Sequence, residues 1–187
     1  MDTFIEQIVQ KRKTGVDWLI TVGLILAVLV LSFVSWLFLP GFSLFIMGGS
    51  IFGAWWLISG RNLEFEYSVT NGDIDIDQII AKRKRKRLVS VSGRKVESLL
   101  PYDPAKTQTA YQRVVMVAPS TQEDGLWCFT YHSKKNGHTL VIFQPDERVL
   151  KALFGGLQKL VQMETTRAAR ELGIVLSASR YNHGDEE

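Results

Sequence analysis

The spacing of apolar residues changes along the chain, and each change predicts a different kind of element. Residues 18–60 hold no Asp, Glu, Lys, Arg or His. A bilayer core about 30 Å thick takes roughly 20 apolar helical residues, so an uncharged run about twice that length predicts two crossings. Pro40-Gly41 marks the break, because Pro lacks an N–H and Gly tolerates a sharp turn. Spans are expected at 16–39 and 42–60. Thr21, Ser32, Ser35, Ser43, Ser50 and Ser59 make no polar face of the kind one long buried helix of a soluble protein would need. Trp18, Trp36, Trp55 and Trp56 fall near the span ends, where the amphipathic indole suits the headgroup level.

From Leu63 the period becomes two: Leu63, Phe65, Tyr67 and Val69 alternate with Glu64, Glu66 and Ser68. Asn71-Gly72 is a hairpin signal, and Ile74 and Ile76 then alternate with Asp73, Asp75 and Asp77. Further strands are expected at 88–92, 95–100, 113–118, 126–132 and 139–143. Trp127, Phe129 and Tyr131 share one strand face and read as core. Pro145, Asp146 and Glu147 open a helix carrying the apolar stripe Val149, Leu150, Leu153, Phe154, Leu157, Leu160 and Val161. Gly155-Gly156 weakens it, and a second helical piece is expected to run to about Leu172. Ahead of the spans, Phe4, Ile5, Ile8 and Val9 have helical spacing and predict an amphipathic surface helix within residues 1–15.

The resulting class is an α+β membrane protein. A two-helix transmembrane hairpin (16–60) precedes an antiparallel β domain with a C-terminal helix (62–173), and residues 174–187 form a loose tail. Small residues are expected to pack inside the hairpin: Gly23, Ala27 and Ser32 on the first helix against Gly49 and Gly53 on the second. The 187 residues carry a formal charge of +3, but position matters more than the sum. Lys11, Arg12 and Lys13 precede the first span, Arg61 follows the second, and the turn between is uncharged. Both termini should therefore face the cytosol, the chain lying in the cell membrane. The single Cys128 excludes an internal disulfide framework.

Seven strands and a closing amphipathic helix match the element order of a pleckstrin-homology-like barrel. The stretch YSVTNGDIDIDQIIAKRKRKRLVSVSGRKVESL (67–99) resembles the opening strands of bacterial membrane-anchored PH-like domains, and FQPDERVLKAL (143–153) resembles their last strand and helix. The whole chain also resembles a family of small two-span proteins from Gram-positive bacteria. The resemblance implies an antiparallel PH-like barrel or sheet capped by the C-terminal helix, and a binding or scaffolding role. It carries over no catalytic residue.

The sharpest chemical feature is Lys82, Arg83, Lys84, Arg85, Lys86 and Arg87, consecutive cations expected to form an exposed hairpin turn. Such a cluster near a span is drawn to anionic headgroups at roughly 1 kcal/mol per cation. The alternative is a solvated turn neutralised by Asp73, Asp75, Asp77, Glu64 and Glu66. Nucleic acid is disfavoured, since no aromatic platform interleaves the run. Asp73-x-Asp75-x-Asp77 lacks the later positions of a calcium loop and reads as a strand. His132, His138 and Cys128 match no zinc spacing, so no metal or other cofactor is expected. The lack of a nucleophile motif, with no charge in residues 18–60, argues against an enzyme or transporter. The expectation is a membrane-anchored module binding anionic lipid or a partner protein, or alternatively an accessory subunit of a larger membrane complex.

Overall fold

The computed structural model describes residues 4–104, 111–120 and 124–176. The chain divides into two compact units, one of residues 10–64 with 79–85, the other of 1–9, 65–78 and 86–187.

In the first unit, α1 (Gly15–Phe38) and α2 (Ser43–Ser59) are joined by a 3-10 turn at Pro40–Phe42. At 24 residues α1 is ~36 Å long, and α1 and the stretch Pro40–Ser59, which is α2 with the turn before it, are each long and apolar enough to cross a membrane. They pack on each other. The less exposed positions are Thr21, Leu24, Val28, Ser32 and Ser35 on α1 and Ser43, Ile46, Ser50, Ala54 and Ile58 on α2. This three-four spacing makes a seam of interdigitating ridges. The seam corrects the expected small-residue contact. Ser32 and Gly53 lie on it, but Gly23, Ala27 and Gly49 are exposed. A Cβ built on Gly23, Gly49 or Gly53 would meet nothing within 4 Å, so no close backbone approach depends on them.

The N-terminal segment is not a helix but a strand, β1 (Phe4–Gln10). Ile5 and Val9 turn inward while Phe4, Glu6 and Ile8 stay exposed. The 4, 5, 8, 9 spacing fits a helical stripe, yet it contains a period-two subset, and β-branched Ile5, Ile8 and Val9 favour the extended chain. Gln7 fixes it: its amide donates to Gln144 O (3.1 Å) and its Oε1 accepts from Asp146 N–H (2.7 Å).

β1 is the edge of a four-stranded sheet, followed by β2 (Leu63–Thr70), β3 (Asp73–Ile80) and β4 (Lys84–Val91). The remaining strands are β5 (Val96–Pro101), β6 (Arg113–Met116), β7 (Trp127–Ser133) and β8 (Gly137–Phe143), in the order β5-β7-β8-β6. The two sheets are not closed into a barrel. Nor are all pairs antiparallel: β6 runs parallel to β8, Val115 opposite Val141. The inner faces of both sheets share one core with α3 (Glu147–Gly156) and α4 (Lys159–Glu171). Phe143 sits at its centre, edge-on to Tyr67 and Phe129 at 5.8 and 5.3 Å. The Tyr67 hydroxyl donates to Val117 O over 2.5 Å, and burial pushes its pKa well above that of a free phenol. Trp127, Phe129 and Tyr131 are buried as expected, whereas Leu160, placed on the core stripe, is 72% exposed. The helix breaks at Leu157-Gln158, and α4 starts with a new phase.

Gly72, Gly93 and Gly156 meet backbone to backbone. A Cβ on Gly156 would lie 2.4 Å from Gly72 Cα, and one on Gly93 2.4 Å from Gly72 O. The β2–β3 turn, the start of the link to β5 and the end of α3 thus close on one point that only glycines fit.

Candidate functional site

The cation run does not form one loop. The turn is tight: Arg83 N–H donates to Ile80 O (3.0 Å), and Ala81 and Lys82 have φ of 52° and 56°. Two left-handed residues in succession are what a two-residue hairpin between twisted strands requires, and Asn71-Gly72 meets the same need at φ 51° and 84°. Ala81 and Lys82 do so against steric cost, since each carries a Cβ.

Lys84, Arg85, Lys86 and Arg87 therefore lie in strand β4. The expected exposed turn is thus confined to the start of the run, and the exposure of the rest has another cause. β4 is a sheet edge, and these four positions are exposed on both faces; burial begins at Leu88 and Val89. Charged residues on an exposed edge also prevent pairing with another chain.

The six cations differ in their surroundings. Arg87 is held by acids on β3: Nε donates to Asp77 Oδ1 (2.5 Å), Nη2 to Asp77 Oδ2 (3.1 Å) and Nη1 to Asp75 Oδ2 (2.8 Å). The Asp77 bonds, then the Asp75 charge, raise its pKa further. Lys82 Nζ is 3.9 Å from Glu64 Oε1. The Arg83 guanidinium lies 5.8 Å above the Trp55 ring. Lys84 and Lys86 have no partner among the described residues. Charge is thus neutralised at Arg87 and Lys82 and left open, among the described residues, at Lys84 and Lys86.

Cations from other segments join the turn. Lys11 N–H donates to Leu63 O (2.9 Å) and Ala81 N–H to Asn62 O (2.8 Å), which brings residues 10–13, 59–64 and 81–83 around a cavity of about 730 Å³. Its wall carries Lys11, Arg12, Lys13, Arg61, Lys82 and Arg83 against only Asp17 and Glu64. Asp17 is already bound, accepting from Thr14 N–H and O–H on Oδ2 (both 2.9 Å) and from Arg61 Nε on Oδ1 (2.7 Å). Glu64 Oε1 accepts from Gln10 Nε2 over 3.3 Å. Sequence reasoning used Lys11–Lys13 and Arg61 only as orientation signals and passed over Asp17. The Thr14-x-x-Asp17 spacing, a helix-capping pattern, was the available clue.

Asp73 and His138 have structural partners. Asp73 Oδ1 accepts from Ser92 Oγ (2.7 Å) and Gly93 N–H (3.2 Å). His132 and His138 stand opposite each other on β7 and β8, and His138 Nε2 lies 3.1 Å from Glu97. Cys128 is buried beside Leu140 and Ile142, and burial pushes its thiol up to about 11. No group of three or more His, Cys, Asp or Glu gathers to hold a metal among the described residues.

A family model described as Bacterial PH-like domain (DUF6106) matches residues 1–162. No curated protein and no solved structure matches the chain.

Proposed function

The chain belongs to the bacterial PH-like domain family, and from this we propose that it is a membrane-anchored, non-catalytic binding module. Its hairpin sits in the cell membrane with both termini in the cytosol, and its basic edge contacts the anionic leaflet. The observation that carries the reading is the exposed, two-faced set of cations at the start of β4, among which Lys84 and Lys86 meet no acid among the described residues. Cations beside a bilayer surface are attracted at roughly 1 kcal/mol each, and the attraction decays within a Debye length. The distribution of charge at the ends of the apolar helices supports the cytosolic orientation.

The test places a fluorophore on Ser90→Cys, an exposed position further along β4. The full chain is reconstituted in neutral or anionic nanodiscs carrying a headgroup quencher. Quenching that rises with anionic lipid and falls with salt is expected. Quenching indifferent to both would overturn the leaflet reading. Copurification of the full chain with a larger complex in mild detergent would then favour the accessory-subunit alternative.

A further inference from the structure

The cavity walled by residues 10–13, 59–64 and 81–83 deepens this reading and rests on it. We propose that it is a discrete site for one phosphate ester, the headgroup of an anionic phospholipid. Diffuse attraction to a charged surface needs no cavity. Here a half-open cavity of about 730 Å³ is lined by three separate segments, a volume within the range of small-ligand sites.

Its charge is unbalanced. Beside Arg61 and Lys82, which meet the wall's two carboxylates, stand Lys11, Lys13 and Arg83. Asp17 is committed to Thr14 and Arg61, and Glu64 to Gln10 and Lys82. Lys11, Lys13 and Arg83 meet none of the acid contacts described above. A phosphate diester supplies the missing anion, and guanidinium and ammonium groups are its ordinary partners.

Two features point to a lipid rather than a soluble ester. The wall includes Trp55 and Ser59 from the end of α2, together with Asp17 from the start of α1, so the cavity opens where both apolar helices end. Trp55, with Arg83 over its ring, offers an apolar flank and a cation to one molecule, as a glycerol backbone joined to a phosphate requires. The tight turn closed by Arg83 N–H on Ile80 O, with Ala81 and Lys82 left-handed, sets Lys82 and Arg83 on the cavity wall.

The test is lipid retention by the full chain. Protein in neutral detergent is given a mixture of phosphatidylglycerol and phosphatidylcholine, and bound lipid is counted by native mass spectrometry. One phosphatidylglycerol per chain is expected, with retention weakened by about tenfold or more in Lys11→Gln/Lys13→Gln and in Arg83→Gln. Lys84→Gln/Lys86→Gln, outside the cavity, should retain it while losing the salt-dependent quenching described above. Equal losses in all variants, with quenching intact, would overturn the discrete site and leave the leaflet reading standing. Equal retention of phosphatidylcholine would overturn the site too. Displacement by micromolar glycerol 3-phosphate would overturn the lipid assignment in favour of a soluble ester. Unchanged thermal midpoints show that a variant is folded, and Arg83→Lys should recover part of the binding.

Discussion

Arg61 donates from Nε to Oδ1 of Asp17 over 2.7 Å, joining the first turn of α1 to a residue two positions past the end of α2. The two flank the long uncharged run, so this bond closes the base of the hairpin. Asp17 also accepts from Thr14, so it caps one helix and clasps the other. Arg61→Ala and Asp17→Ala should each lower the thermal midpoint of the detergent-solubilised chain. The double variant should be little worse than either alone, since both remove one interaction. Additive losses would mean that the two residues act independently.

The glycine contact gives a prediction with an internal control. Gly156→Ala drives a methyl into Gly72 Cα and O and should destabilise the β unit by about 1–3 kcal/mol. Gly155→Ala, one residue earlier in α3, meets nothing within 4 Å and should stabilise it by about 0.5–1 kcal/mol. Denaturant melts of the two variants should move in opposite directions.

Ala81 holds φ 52° without the means to make that conformation favourable. Ala81→Asn should raise stability by up to about 1 kcal/mol, because Asn tolerates the left-handed region. Ala81→Val should lower it. Thermal midpoints of the full chain would show whether the turn is strained as its dihedrals indicate.

Asp146 caps α3, its Oδ1 accepting from Val149 N–H at 2.7 Å. Burial raises its pKa, but this bond and the Arg148 guanidinium outweigh it, and the net shift is downward. A lowered folded pKa means that the charged cap stabilises above the unfolded value of about 3.9 and loses that contribution as pH falls through the folded one. Asp146→Asn should keep most of the cap at neutral pH yet remove this acid-dependent step. Asp146→Ala should cost about 1 kcal/mol at neutral pH. Melts between pH 2 and 7 would separate them.

Cys128 is buried with a thiol raised to about 11, so it should be nearly silent to maleimide in the folded chain. Lys135→Cys, on the exposed β7–β8 turn, should label only after the cytosolic side is opened. Labelling of that variant in intact cells would reverse the orientation.

What the sequence reveals depends on how local the cause is. The apolar run, the Asn71-Gly72 hairpin and the alternation through Phe65, Tyr67, Val69, Ile74 and Ile76 are local, and each lies where the pattern puts it. The turn at Ala81-Lys82 is not legible because neither residue has the turn chemistry; the strands around it impose the bend. β1 is misread as a helix because its inward side is decided by a partner more than fifty residues away. The parallel β6·β8 pair and the meeting of Gly72, Gly93 and Gly156 are likewise long-range. The cavity is partly legible: its cations are conspicuous, but the hydrogen bonds of Lys11 to Leu63 and of Ala81 to Asn62 that gather them are not.

The position of β1 has a consequence for how the protein is made. β1 is synthesised before the helical hairpin, and its neighbour β2 follows only after the whole hairpin has been made. At ordinary translation rates that is a wait of several seconds. Neighbouring strands must lie on one side of the bilayer, so a nascent chain whose hairpin crosses only once cannot complete the sheet. On the proposed two-span reading, pairing of β1 with β2 is expected to act as a checkpoint on insertion, and a chain that fails it keeps an unpaired edge strand exposed.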